Sequence, residues 1–147
     1  MAHGGVQLPL PGQEGGIASC TLTLDARWPG QLASAPAARH AAVEAARAAG
    51  AGPVVLRRVA LAVTEAVANA ILHAYDGAGA GDVSLRGWRA PGRVILEVRD
   101  QGRGLAPRDD SPGLGLGLVI IRRVADDVRI SSAAGAGTTV RLEFALE

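Results

Sequence analysis

The chain contains no lysine: all 15 of its Lys+Arg residues are arginine, set against 14 acidic residues for a formal charge of +1. Such a balance supplies no broad electropositive field, so nucleic-acid or anionic-membrane binding would require a local basic patch, and none is visible in the sequence. Cysteine is nearly missing as well. Cys20 stands alone, which excludes an internal disulfide framework and a cysteine-based zinc site and suits a reducing cytoplasm. No segment reaches the roughly 18 uninterrupted apolar residues of a membrane span. The opening MAHGGVQLPLPG lacks the basic region and apolar core of a signal peptide. These absences predict a soluble, cytoplasmic protein. Two phosphate-binding fingerprints are also missing: Gly113 and Gly115 lead to Leu118 where G-x-G-x-x-G needs glycine, and no G-x-x-x-x-G-K-[ST] occurs. Rossmann and P-loop readings therefore fail.

What is abundant is alanine, arginine and glycine. Gly 20 in 147 residues is well above the usual ~7%, so a glycine cluster here signals a binding loop only when its neighbours support it. The length suits one domain with one core. Residues 1–16 are rich in Gly and Pro without periodicity and read as a flexible leader, leaving 17–147 as the folded unit.

Within that unit, alternation predicts a first strand over Ile17 to Leu24. A first helix follows Ser34, with Pro36 in its first turn and Gly50 at its end. A second helix runs from Pro53 to Tyr75. Leu56, Val59, Val63, Val67, Ala70 and Ala74 form one apolar stripe on it, and Leu61, Ala68 and Leu72 cover another side. Strands Asp82 to Trp88 and Arg93 to Arg99 make a hairpin through Ala90, Pro91 and Gly92. After a loop over Gln101 to Pro112 come a helix over Leu116 to Ala125 and strands near Val128 to Ser131 and Thr138 to Leu146. The order β-α-α-β-β-α-β-β predicts an α+β fold: a two-layer sandwich with a mixed, mostly antiparallel sheet and its helices on one face.

Three features carry chemistry. Glu65, Asn69 and His73 recur every four residues on the second helix, each step turning only about 40°, so they line up as one polar row. The row can be a solvated stripe, or a site in which Asn offers a neutral oxygen to a hard cation and Glu takes a proton. Asp100 continues the face of Val94, Leu96 and Val98 and so points toward the core. It is either a turn-capping residue or a buried carboxylate needing a donor, for which the exocyclic amine of adenine would serve. Finally, Gly102 and Gly104 follow Asp100, and Gly113, Gly115 and Gly117 open a helix. Glycine allows close backbone approach, and a helix N-terminus presents free amides to phosphate.

In this order the motifs resemble those of the GHKL superfamily of DNA gyrase, MutL and histidine kinases, whose ATPase unit is the histidine kinase-like, or Bergerat, fold. The N-box is Glu65-Ala66-Val67-Ala68-Asn69-Ala70 through His73-Ala74-Tyr75. The glycine boxes are Asp100-x-Gly102-x-Gly104 and Gly113-x-Gly115-x-Gly117, and Gly137-Thr138-Thr139 completes the set. The form of the N-box and the short loop between glycine boxes are similar to the bacterial anti-sigma factor serine kinases. The resemblance implies ATP/ADP and Mg2+ as ligands, with Asn69 coordinating magnesium, Asp100 bonding adenine, Thr139 near the base and His73 beside the phosphates. It implies Glu65 as catalytic base and the five glycines as pocket and lid, with Arg103 or Arg108 supplying the lid cation in place of the missing lysine. It further implies phosphorylation of a serine on a small anti-sigma antagonist, a sigma factor as the other partner, contact through Arg39, and a homodimer as one assembly. Two other activities stay open: a nucleotide-responsive adaptor that sequesters a regulator without turnover, and a stand-alone ATPase partner of a histidine-kinase system.

Overall fold

The computed structural model describes residues 20–74, 81–101, 114–133 and 137–146. The leader expected over residues 1–16 lies outside the described residues. Five strands form one sheet in the order β1-β2-β3-β5-β4: β1 Thr21–Pro29, β2 Asp82–Ala90, β3 Arg93–Asp100, β4 Asp127–Ala133 and β5 Gly137–Ala145. The helices are α1 Ala35–Ala48, α2 Pro53–Ala74 and α3 Leu114–Val124, and a short 3₁₀ turn at Leu32–Ser34 precedes α1.

The expected mixed sheet is antiparallel at every described pair. The physical reason is an insertion. β3 and β4 run the same way, as strands joined through a helix do, but β5 turns back from β4 and lies between them, so no parallel neighbours form. The first strand lies further along the chain than alternation suggested. It spans Thr21–Pro29 and is held by its pairing with β2, with a bulge between Leu22 and Leu24.

One face of the sheet carries the helices. Val83 and Leu85 of β2, Val94, Leu96 and Val98 of β3, and Leu142 and Phe144 of β5 are buried there. They meet Val55, Val59, Ala62, Val63, Ala66, Val67, Ala70 and Ile71 of α2. Ala38, Ala42 and Ala46 form a fully buried line along α1, and such small side chains let helix axes approach to about 8 Å. The second apolar side expected on α2 is open: Leu61 and Leu72 are 43% and 46% exposed. Two glycines act through conformation. Gly50 ends α1 at φ +103, and Gly92 turns the β2–β3 hairpin at φ +71.

The opposite face of the sheet is charged. Glu97 and Arg141 are cross-strand partners there, joined by a buried ion pair of 3.0 Å. A small cluster of Trp88, Ala90 and Ile95 packs beside Cys20.

Candidate functional site

The helix that carries the polar row is tied by chain connectivity to the sheet end that carries Asp100. Residues 75–81 join α2 to β2, a span of at most about 25 Å at 3.3–3.6 Å per residue. The end of α2 is thereby tied to the edge of the sheet where β2 begins. At that same edge Gly30 N–H donates to the carbonyl of Gly81 at 2.7 Å, β3 ends with Asp100 opposite Val83, and β5 begins with Gly137.

Asn69 is the centre of the row. It is half-buried, and its Nδ2 is buried without a hydrogen-bond partner. Gly117 of α3 faces it so closely that a Cβ on this glycine would stand 2.5 Å from Nδ2, 2.9 Å from Oδ1 and 3.1 Å from Cγ. One helical turn earlier Glu65 is also half-buried. Further back, Arg58 fastens the other end of α3: its Nε donates to the carbonyl of Val124 at 2.9 Å, and its guanidinium lies 3.5 Å from Asp126. The helices are therefore antiparallel, and α3 covers the row at Asn69. A purely solvated stripe does not fit, because an orphaned carboxamide nitrogen shut away from water is costly unless a ligand supplies it an acceptor. His73 occupies the next turn of α2, but its side chain lies outside the described residues.

Asp100 is 5% exposed and faces inward as the alternation predicted. The backbone N–H of Thr138 donates to its Oδ1 at 3.2 Å. Gly137, at φ +79, presses against the carbonyl of Asp100 so tightly that a Cβ there would overlap the oxygen. The last strand thus meets the Asp100 segment through glycine because no side chain fits.

One expected residue is displaced. Thr139 was expected near the base, but register sets it opposite Arg99 on one side and Ser131 on the other, on the sheet face away from the helices. Thr138 occupies the inward position, 8% exposed, with its hydroxyl 3.3 Å from that of Ser132. The signal for Thr138 was the two-residue period of Val140, Leu142 and Phe144, which alternate with Thr139, Arg141 and Glu143. Of the remaining expected residues, Gly115 lies in the first turn of α3 and Arg39 is exposed on α1. Gly102, Gly104 and Gly113, with the lid candidates Arg103 and Arg108, lie outside the described residues. Among the described residues no group of three or more His, Cys, Asp or Glu could hold a metal, and no helix is long and apolar enough to cross a membrane.

Comparison with known proteins agrees with this geometry. The histidine kinase-like ATPase domain matches residues 28–144. The anti-sigma F factor of Bacillus licheniformis is 33% identical over 98 residues, covering 59% of this chain and 67% of that protein. The anti-sigma F factor of Geobacillus thermodenitrificans is 35% identical over 99 residues, covering 60% and 68%. Among solved structures, the RsbU and RsbW domains of Rv1364c from Mycobacterium tuberculosis share the fold at TM-score 0.64 and 24% identity, over 84% of this chain and 32% of that one. The blue-light activated histidine kinase of Erythrobacter litoralis EL346 aligns at TM-score 0.56 and 29% identity, over 65% and 32%. The chain spans about a third of each of these two solved chains. The motifs, the helix-covered antiparallel sheet and these matches together establish that the chain belongs to the histidine kinase-like ATPase family, in its anti-sigma factor branch.

Proposed function

We propose that the chain is an ATP-dependent serine kinase, which transfers phosphate to a small anti-sigma antagonist and binds a sigma factor as its alternative partner. The observation that carries this reading is the approach of Gly117 to Asn69, which sets the first turns of α3 against the polar row of α2. Free amides at that helix start suit phosphate oxygens.

The donor set fits magnesium. Mg2+ held mainly by substrate phosphates takes one or two oxygens from protein; the Asn69 carboxamide can offer Oδ1 as one of them, while its buried Nδ2, which lacks a partner, is left to donate to a phosphate oxygen. Asn69 would hold the ion, which when bound offsets charge on the β- and γ-phosphates. Asp100, buried on the helix side, accepts from the exocyclic amine of adenine while its Oδ1 also accepts from the Thr138 N–H. Glu65 takes the serine proton as the hydroxyl oxygen bonds to the γ-phosphorus. The bond to the bridging oxygen breaks, and ADP leaves with that electron pair. The exposed Leu61, one turn before Glu65, and Leu72, two turns after it, suit a protein acceptor better than water alone. Arg39 is the surface residue we assign to partner contact.

The test is phosphate transfer from γ-labelled ATP to candidate antagonists. Transfer to an acid-stable phosphoserine, abolished in Glu65→Ala with ATP binding retained, supports the proposal. Undiminished transfer by Glu65→Ala overturns the base assignment. ATP binding without transfer to any cognate partner favours an adaptor, and an acid-labile product favours a histidine-kinase partner.

A further inference from the structure

The sheet face away from the helices carries two cross-strand rows of different character. In one, Asp25 pairs with Arg86 at 3.6 Å and Glu97 with Arg141 at 3.0 Å, so both of these cations have their carboxylates. The adjacent row is different. Register puts Arg27 opposite Ser84, Ser84 opposite Arg99, Arg99 opposite Thr139 and Thr139 opposite Ser131. That row crosses all five strands with two guanidiniums, three hydroxyls and no carboxylate. Arg27 and Arg99 are exposed, and neither has a hydrogen-bond or ion-pair partner among the described residues. Between them lies a cavity of about 240 Å³, lined by Arg27, Ser84, Arg86 and Arg99 and by three carboxylates, of which Asp25 and Glu97 are paired with Arg86 and Arg141 and Asp82 is likewise engaged.

Arg27 and Arg99 stand on strands either side of β2, about 9.5 Å apart at two strand spacings. Arginine side chains of that separation reach inward over the small Ser84 and can grip one tetrahedral anion from both sides. Guanidinium forks match phosphate oxygens two at a time, and a serine hydroxyl between them adds a donor. A monocarboxylate would leave one fork empty. We infer that this row is a binding site for a phosphate monoester dianion, held between Arg27 and Arg99 over Ser84. It is separate from the nucleotide site, because Arg99 and Asp100 are consecutive residues that face opposite sides of the sheet.

The experiment is a titration of the full chain, followed by amide NMR, with inorganic phosphate, a phosphoserine peptide, its unphosphorylated form and acetate at equal ionic strength. Saturable shifts at Arg27, Ser84 and Arg99 with both phosphates, and not with acetate or the plain peptide, are expected. Tighter binding of the phosphopeptide assigns the source to a phosphoprotein, and equal or weaker binding to a small metabolite. Arg27→Gln and Arg99→Gln should each weaken binding about tenfold, Lys at either position should restore part of it, and Asp100→Asn should leave it unchanged. These exposed substitutions leave the core alone, and the dispersion of the same spectra checks folding. Equal shifts with acetate, or phosphate shifts that persist in the Arg27→Gln/Arg99→Gln chain or fall only around Asn69 and Gly117, overturn the site.

Discussion

Gly117→Ala probes the contact on which the proposed nucleotide site rests, and the two effects it combines have opposite signs. Alanine is favoured over glycine within a helix by about 1 kcal/mol. Against this, the new Cβ would stand 2.5 Å from Asn69 Nδ2 and 2.9 Å from Oδ1, and forcing a buried polar group aside costs on the order of 1–3 kcal/mol. In the wild-type background the net change is therefore a loss of up to about 2 kcal/mol. With Asn69 first replaced by alanine the obstruction is gone, and Gly117→Ala should stabilise the chain by about 1 kcal/mol. Urea unfolding of the four proteins of this cycle gives the coupling directly. A coupling within ~0.5 kcal/mol of zero is additivity, and it would refute the argued contact.

Gly137→Ala should cost at least ~2 kcal/mol in the same assay, since alanine pays for the left-handed backbone and meets the Asp100 carbonyl; a neutral result would mean that the β5 entry is misplaced. Arg141→Met should destabilise by about 3–5 kcal/mol because it strands buried Glu97, whereas Glu97→Leu/Arg141→Met should recover most of that loss. Equal losses in the single and double variants would show that the pair is not coupled.

The residues that were legible in the sequence are those whose local pattern and tertiary role agree. α2 was readable over Pro53–Ala74 because a long 3.6-residue period coincides with burial of one stripe, and Gly50 and Gly92 sit where chain direction changes. Asp100 was readable because the two-residue period of β3 extends to it. The first strand was misplaced because an edge strand with one polar face, Asp25 and Arg27, gives a weak alternation, and its position comes from pairing with β2 rather than from its own residues. Thr138 was legible too: Val140, Leu142 and Phe144 alternate with Thr139, Arg141 and Glu143, which puts Thr138 on the apolar face by parity alone, whereas the motif resemblance implied Thr139. The closeness of Gly117 to Asn69 is a tertiary fact, and the motif order alone pointed to it.

Calorimetry of ATP binding, with magnesium and with EDTA, on wild type, Asp100→Asn and Asn69→Ala tests the site as a whole. Expected are saturable binding by wild type, about tenfold or greater weakening in Asp100→Asn from loss of a charge-assisted hydrogen bond, and disappearance of the magnesium dependence in Asn69→Ala. Wild type that takes up no ATP, or both variants binding as wild type does, would contradict the proposed site.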